Sequence, residues 1–251
     1  MKGRVLDYLL GTSARRGAGF LVLLDPDRLD PGLVAERAQQ CAEAGADALL
    51  VGTSLTLLAD HTAIYRQLKD AVAIPVITFP GNGSHVSSAA DAILFLSMVS
   101  SRNPELLIGE QVRTAPLLRR SSVEVISTAY ILVESGSLTS VQFVSNSLPI
   151  PRDKTEIAVA HALAAEYIGM RLLYLEAGSG ARLTVPDEMI RAVTDASSLP
   201  TIVGGGIRLP EEARAKVEAG ARFVVAGQIV EEKGADGPLM RELALAVHVR
   251  G

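Results

Sequence analysis

Tyr174 and Glu176 are polar residues whose spacing suggests chemistry within an otherwise apolar segment. The segment Leu172–Glu176 has the composition of a short buried strand, and the strand period of two places Tyr174 and Glu176 on one face. Gly178–Gly180 follow at once, and successive backbone N–H groups in such a turn can bind an anion. The pattern predicts a carboxylate beside an anion site, and a strand-to-helix turn with a capping serine is the alternative interpretation.

Two further glycine sites suggest phosphate binding. They lie in Val203–Arg208, which contains three consecutive glycines, and in Val225–Gln228. Glycine permits positive φ and lets a ligand approach the backbone closely. The residues we assign to a phosphate are Gly205, Gly206 and Gly227, with the backbone N–H of Gln228 as a further donor. Tight turns without a ligand are the alternative.

An acidic turn and a hydroxyl-rich turn follow two earlier apolar segments, as Asp25–Arg28 and Gly52–Ser54. The carboxylate of Asp25 beside the hydroxyl of Ser54 suits Mg²⁺, which takes one or two protein carboxylates and completes its shell with water and substrate phosphate oxygens. Ordinary turn chemistry and helix capping explain the same residues. The residues alone leave both interpretations open.

Several other chemistries lack support in the sequence. The four histidines, His61, His85, His161 and His248, have no paired ligand spacing, and Cys41 is the single cysteine, so a zinc site and an intrachain disulfide are not expected. Neither a Gly-x-Ser-x-Gly elbow nor a Gly-x-x-x-x-Gly-Lys-Ser/Thr loop occurs.

The elements that must position these residues alternate along the chain. Amphipathic, helix-like patterns separate eight short apolar segments. The segments are Gly19–Leu24, Ala48–Val51, Pro75–Phe79, Ala92–Leu96, Val123–Ile131, Leu172–Glu176, Thr201–Val203 and Phe223–Ala226. The helix-like patterns are Gly32–Ala44, Thr56–Val72, Glu105–Leu118, Thr155–Ile168, Pro186–Asp195, Pro210–Ala219 and Leu239–Val249.

Eight such units in 251 residues predict an α/β fold of the (β/α)8 TIM-barrel type, with its active site at the carboxyl ends of the strands. Only twelve residues separate Phe79 from Ala92, so the third helix should be missing or vestigial. We expect one domain over residues 1–251, with residues 1–18 as an N-terminal helical cap. A doubly wound sheet is the alternative fold.

Composition and charge narrow the class of protein. The chain is 48% hydrophobic and 21% charged, with a net charge of −4, which argues for a globular protein and against a nucleic-acid partner. The apolar part of the N-terminus is too short for a secretory signal, and no segment is long enough to span a membrane. We therefore expect a soluble, cytoplasmic protein with at most peripheral membrane contact.

The combined motifs resemble those of the geranylgeranylglyceryl phosphate synthase family, the prenyltransferases of ether-lipid synthesis. The similar segments extend from the first strand to beyond the seventh. They are Leu23–Arg28, Ala46–Ser54, Ala90–Glu110, Ser127–Gly136, Ser145–Lys154, Tyr174–Ala181 and Val203–Arg208.

This resemblance implies a Mg²⁺-dependent transfer of a long prenyl chain, such as geranylgeranyl, from its diphosphate to the 3-hydroxyl of sn-glycerol 1-phosphate. It implies Asp25 and Ser54 as the metal residues. The implied glycerol-phosphate residues are Tyr174, Leu175, Glu176, Ala177, Gly178, Ser179, Gly180, Gly205, Gly206, Gly227 and Gln228. Together with the residue pattern, it makes Glu176 the candidate general base and Tyr174 a substrate-positioning residue.

The sequence departs from the family pattern at two positions. Thr53 stands in a segment where the family usually has Gly-Thr, Gly-Ser or Gly-Gly-Ser, and Gln228 stands where it more often has asparagine. The segment Leu94–Val99 is our candidate lining for an apolar prenyl trough, and ordinary strand packing is its alternative. Members of the family form dimers or larger assemblies, so a homo-oligomer is expected.

Two other functions compete with the prenyltransferase. Another barrel enzyme acting on a small phosphorylated metabolite, such as an isomerase or aldolase, would use the same phosphate loops. A catalytically silent phosphate-binding protein is the second alternative, and Gln228 is its only hint in the sequence.

Overall fold

The computed structural model describes residues 4–28, 30, 32–54, 62–227 and 237–250. Eight parallel strands form a closed barrel in the order β1 to β8, with β1 paired to β8. The strands are β1 (Gly19–Leu24), β2 (Ala48–Val51), β3 (Val76–Thr78), β4 (Ala92–Ser97), β5 (Glu124–Leu132), β6 (Leu172–Glu176), β7 (Thr201–Gly204) and β8 (Phe223–Ala226). The predicted (β/α)8 barrel is confirmed.

Helices surround the barrel in the described part of the chain. They are α1 (Arg4–Arg16), α2 (Val34–Glu43), α3 (Thr62–Ala71), α4 (Glu110–Leu118), α5 (Ser140–Ser145), α6 (Thr155–Ile168), α7 (Asp187–Ala196), α8 (Pro210–Glu218) and α9 (Pro238–Val247). The short α5 was not predicted. The helix predicted to begin at Thr56 includes residues that lie outside the described part, and α3 begins at Thr62.

The third βα unit has no regular helix, as predicted. A single 3₁₀ turn, Gly83–His85, stands between β3 and β4. A π-helical turn, Glu105–Gly109, then leads into α4, where one continuous helix was predicted. Without a covering helix, the outer face of β4 at Ile93 and Phe95 packs only in a small apolar cluster with Val86 and the end of α4.

Two apolar layers follow from the strand period. One lies between the strands and the helices, and the other fills the barrel. On β6, Leu173 and Leu175 pack in the outer layer, whereas Leu172 and Tyr174 pack inside the barrel. The predicted facing of this strand is therefore confirmed for its leucines and Tyr174.

Helix α1 closes the barrel at the amino ends of the strands. Its Leu6 and Leu9 join the inner apolar layer, and the buried Glu124 carboxylate at the start of β5 accepts the Val5 backbone N–H at 2.6 Å. A carboxylate at a helix N-terminus satisfies backbone donors and complements the helix dipole. Access to the barrel interior is therefore from the opposite end.

No helix in the described ranges is long and apolar enough to cross a bilayer.

Candidate active site

A cavity of about 680 Å³ opens at the carboxyl ends of the strands. This is the end where barrels of this type hold their active sites. Nine of the predicted site residues line this cavity, and they lie within β6 or in the loops after β1, β2, β6, β7 and β8. They are Asp25, Ser54, Tyr174, Glu176, Ser179, Gly180, Gly205, Gly206 and Gly227.

Three of the predicted binding residues are placed differently, and a fourth is not among the described residues. The side chains of Leu175 and Ala177 pack in the outer apolar layer, because they alternate with the inward-facing Tyr174 and Glu176. The backbone N–H of Gly178 already donates to Glu176, so Ser179 and Gly180 are the remaining donors of that turn. Gln228 lies outside the described residues.

Glu176 is a buried carboxyl group, only 5% exposed, at the end of β6. Burial raises its pKa to about 7 from the ordinary 4.5, and the hydrogen bond from Gly178 N–H and the nearby Tyr174 hydroxyl oppose the shift. The Gly178 N–H donates to Glu176 Oε1 at 2.6 Å. A carboxyl group that titrates near neutral pH, in a cavity, can accept a proton from a bound hydroxyl.

Tyr174 lies beneath Glu176 and is fully buried. Its ring stacks on Phe79, with centroids 5.2 Å apart and planes at 17°, and contacts Tyr130 at 5.6 Å. Its hydroxyl makes no hydrogen bond of good geometry within the described part of the chain, although it faces Glu176. The hydroxyl lies beside Glu176 and favours the charged form of its carboxyl group.

Phe79 and Tyr130 are site residues that the sequence analysis missed. Both line the cavity, and with Tyr174 they form a group of three aromatic rings. Tyr130 is the β5 partner of Tyr174 in the sheet register. Applying the period of two to β5, as to β6, would have placed Tyr130 toward the barrel axis.

The loop after β7 needs glycine for two separate reasons. Gly205 has φ +87°, and a Cβ there would lie 2.3 Å from Glu176 Oε1. Gly206 also has positive φ, at +74°. The guanidinium of Arg208 donates to the carbonyls of Gly206 and Ala181, at 3.2 and 3.0 Å, and so joins the loops after β7 and β6. This cation adds positive potential beside the glycine backbone.

Asp25 directly follows β1 and borders the same cavity. Its carboxylate accepts the Asp27 backbone N–H at 3.0 Å and forms an ion pair with Arg28 at 3.5 Å. Partial burial raises the pKa of Asp25, while the Asp27 backbone, the Thr53 hydroxyl and Arg28 oppose the shift. Thr53, noted in the sequence only as a departure from the family pattern, thus lies close enough to Asp25 to lower its pKa.

The donor set near Asp25 fits Mg²⁺. Carboxylate oxygens of Asp25 and Asp27 and the Ser54 hydroxyl border one cavity, and hard oxygen donors are the ligands Mg²⁺ prefers. The described residues contain no cluster of three or more His, Cys, Asp or Glu side chains suited to a metal. An ion held by one or two carboxylates, with substrate oxygens completing its shell, does not need such a cluster.

The cavity continues into an apolar arm beside β4. Phe95, Leu96, Met98, Leu106 and Thr114 line it. Within the segment predicted to form a trough, Leu94 packs inside the barrel, and Ser97 and Val99 face a different cavity. The arm lies where the third helix is missing.

A closed parallel barrel with a buried carboxyl group and glycine-rich turns at the carboxyl ends of its strands defines the class of (β/α)8-barrel enzymes. The model of the PcrB family matches residues 12–245. The chain belongs to the PcrB family, and it is an enzyme of that family.

Curated relatives and a solved structure agree with this assignment. Geranylgeranylglyceryl phosphate synthase of Chitinophaga pinensis is 42% identical over 99% of this chain and 97% of its own length. The enzyme of the same name from Thermococcus kodakarensis is 44% identical over 92% and 91%. (S)-3-O-geranylgeranylglyceryl phosphate synthase from Thermoplasma acidophilum, solved with sn-glycerol-1-phosphate, is 34% identical, covers 97% of this chain and 98% of that chain, and superposes with a TM-score of 0.92. The family resemblance of the sequence is confirmed.

Proposed function

We propose that this enzyme transfers a long prenyl chain, geranylgeranyl in the first instance, from its diphosphate to the 3-hydroxyl of sn-glycerol 1-phosphate. The observation that carries the proposal is the shape and chemistry of one cavity. A buried carboxyl group with a pKa near 7 and glycine-lined turns stand at one side of it, and an apolar arm extends from it beside β4. The names of the relatives and the acceptor bound in the Thermoplasma acidophilum enzyme support this assignment.

The polar side of the cavity suits the acceptor. Ser179, Gly180, Gly205 and Gly206 border the cavity from two adjacent loops. Glycine turns of this kind bind phosphate through their backbone N–H groups. The phosphate-binding place of this fold is commonly formed by the loops after β7 and β8. An acceptor phosphate held there places its glycerol hydroxyls toward Glu176 and Tyr174.

Glu176 then acts as the general base. Its carboxylate takes the proton of the 3-hydroxyl as the new bond forms between that oxygen and the first prenyl carbon. The bond between this carbon and the diphosphate oxygen breaks, and diphosphate leaves with the bonding electrons. Tyr174 borders the cavity beside Glu176, and we assign it to orienting the acceptor.

Asp25 and Ser54 are the residues that would hold Mg²⁺, which supplies positive charge to the leaving diphosphate when it is bound. Arg28 beside Asp25 adds a further cation at this side of the mouth. The aromatic rings of Phe79, Tyr130 and Tyr174 belong to residues that border the same cavity. The faces of such rings attract the positive charge that develops on an allylic carbon.

The competing barrel functions fit this cavity less well. A Schiff-base aldolase needs a lysine, and no lysine borders the cavity in the described ranges. An isomerase of small phosphorylated metabolites would have no use for the apolar arm. The apolar character of that arm favours a lipid donor.

Calorimetric titration tests the acceptor half of the proposal. The wild-type protein should bind sn-glycerol 1-phosphate at least tenfold more tightly than sn-glycerol 3-phosphate, because the hydroxyl to be alkylated must meet Glu176 while the phosphate occupies the glycine loops. Equal binding of the two enantiomers, or binding of neither, would contradict the proposed acceptor.

A further inference from the structure

Residues 148–154, the second half of the family-like segment Ser145–Lys154, have no part in the reaction proposed above. Prolines flank Ile150 on both sides, and proline favours extended backbone at itself and at the residue before it. Ile150 pairs with the chain just at the end of β5. Its N–H donates to the Leu132 carbonyl at 2.8 Å, and its carbonyl accepts the Glu134 N–H at 2.9 Å. This pairing fixes the backbone two residues before Arg152.

Arg152 joins the loop after β5 to the loop after β6. The second of these loops, residues 177–186, contains Ser179 and Gly180 and is called the acceptor loop below. One guanidinium nitrogen of Arg152, Nη1, donates to the Glu134 carbonyl at 3.0 Å and to the Thr184 carbonyl at 2.8 Å. The side chain therefore fixes the acceptor loop relative to the loop after β5.

The acceptor loop is held from its other side as well. The guanidinium of Arg208, in the loop after β7, donates to the Ala181 carbonyl at 3.0 Å. The acceptor loop also packs closely on the loop after β5, because a Cβ on Gly178 would lie 2.6 Å from Thr139 Cγ2. Contacts with both neighbouring loops thus determine where the turn at Ser179 lies.

The charge of Arg152 also bears on this loop. Within the described part of the chain, Arg152 forms no ion pair with a carboxylate, and its hydrogen-bond acceptors are the two backbone carbonyls. A guanidinium group stays protonated at neutral pH. Arg152 and Arg208 therefore place one cation on each side of the acceptor loop, which raises the positive potential at a turn suited to an anion.

We propose that Arg152 is a positioning residue for the acceptor, which holds the turn at Ser179 and Gly180 in place for the phosphate. The inference rests on the proposed prenyltransferase function. Arg152 does not border the cavity, so it acts through the carbonyls of Glu134 and Thr184 and not by touching the acceptor. Its removal should weaken the acceptor and spare the donor, whose candidate residues lie at β1, β2 and β4.

Separate titrations of the two substrates test this selectivity without turnover. Calorimetry measures the binding of sn-glycerol 1-phosphate, and of a C20 prenyl diphosphate with Mg²⁺, to the wild type and to three variants. Arg152→Met keeps an unbranched side chain but has neither the charge nor the N–H donors. Arg152→Lys keeps the charge and donors on a slightly shorter side chain. Arg16→Met is the matched control, because Arg16 pairs with Asp47 at the amino ends of the strands, at 2.9 Å.

Arg152→Met should bind the acceptor at least tenfold more weakly and the C20 donor within twofold of the wild type. Its KM for the acceptor should rise at least tenfold, with a smaller change in kcat. Arg152→Lys should bind the acceptor within threefold of the wild type, and Arg16→Met should bind both substrates normally. Backbone hydrogen exchange of residues 177–186 should be faster in Arg152→Met, and that of α1 should be unchanged.

Three results would contradict these statements, and they are distinguishable. Equal acceptor affinity of Arg152→Met and the wild type would overturn the positioning role alone. A parallel loss of acceptor and donor affinity would show a general structural role and would also overturn it. A wild-type protein that does not bind sn-glycerol 1-phosphate would overturn the proposed function itself. If Arg152→Met does not fold, Arg152→Gln decides by the same comparison, since its amide is too short to reach both carbonyls.

Discussion

The burial of Glu176 shifts the pKa of its carboxyl group into the range that suits a general base. The same desolvation that makes its charge costly raises its pKa to about 7, where a base works efficiently at neutral pH. Glu176→Gln keeps the side-chain shape and an acceptor for Gly178 N–H but removes the base. We expect turnover to fall by about 10²- to 10⁴-fold, with acceptor affinity nearly unchanged. Steady-state kinetics and calorimetry on the same preparation measure both.

Glu124→Gln is the matched control for this substitution. Glu124 is also a buried glutamate, but it lies at the opposite end of the barrel, where it accepts N–H groups of α1. Its replacement should lower stability and leave the turnover of the folded protein intact. Full turnover in Glu176→Gln would remove this residue from the role of base.

The raised pKa of Glu176 also predicts a pH-dependent stability difference. Because the folded-state pKa is above the unfolded value of 4.5, the favourable contribution of the protonated group is complete below pH 4.5 and is lost as the pH rises to about 7. Glutamine has no carboxyl proton to lose, so the Glu176→Gln variant does not lose this stability as the pH rises. The free energy of unfolding of the variant, relative to that of the wild type, should therefore rise by about 3 kcal/mol between pH 4.5 and pH 8. Urea unfolding at several pH values measures the difference, and a constant difference would contradict the shifted pKa.

At the scale of elements, the loop after β7 fixes the position of Glu176. Gly205→Ala would place a methyl group 2.3 Å from Glu176 Oε1 at a φ of +87°, so we expect acceptor affinity to fall at least tenfold and stability to fall as well. Gly169→Ala is the control, because Gly169 has φ +90° with nothing within 4 Å of its Cβ position. That variant should lose about 1 kcal/mol and bind the acceptor normally. Equal acceptor affinities of the two variants would be inconsistent with the assigned role of this loop.

Strand β4 carries the apolar arm, and Met98 borders it. Met98→Trp adds bulk to the arm, and we expect it to shift preference toward shorter prenyl donors by at least tenfold in the ratio of kcat/KM. A series of donors from C10 to C35 measures this preference. An unshifted series would count against Met98 as part of the donor site.

The strands were predictable because each one corresponds to a short apolar segment that is visible in the local sequence. Each strand of the barrel lies in a short apolar segment, and the twelve residues between Phe79 and Ala92 were too few for a helix. Helix α5 has only six residues, which is too short to show a helical period. The π-helical turn before α4 has the same apolar spacing as an ordinary helix, so the sequence did not distinguish it.

The candidate site was predictable where strand period and glycine sufficed. The period of two placed Tyr174 and Glu176 together, and consecutive glycines marked the loop after β7. The aromatic group of Phe79, Tyr130 and Tyr174 was not predicted, because three separate strands bring it together. The engagement of Gly178 N–H by Glu176 depends on the detailed turn geometry, which spacing does not specify.

Across the whole molecule, the residues at one end of the barrel stabilise the fold, and those at the other end form the candidate active site. Helix α1 and the carboxylates of Glu124 and Asp47 secure the amino ends, where Asp47 accepts from Arg16, the Phe20 backbone and His248. The opposite end carries the cavity with its carboxylates and glycine loops. The residues that secure the amino ends are therefore different from those that line the cavity. Assembly into a homo-oligomer stays a prediction.

Direct measurement of the joined product tests the central claim. A radiolabelled C20 prenyl diphosphate is incubated with sn-glycerol 1-phosphate and Mg²⁺, with EDTA and with sn-glycerol 3-phosphate as the two controls. We expect an ether product from the 1-phosphate that is lost with EDTA and at least tenfold reduced with the 3-phosphate. Absence of product across donors from C10 to C35, in protein that binds glycerol phosphate, would contradict it.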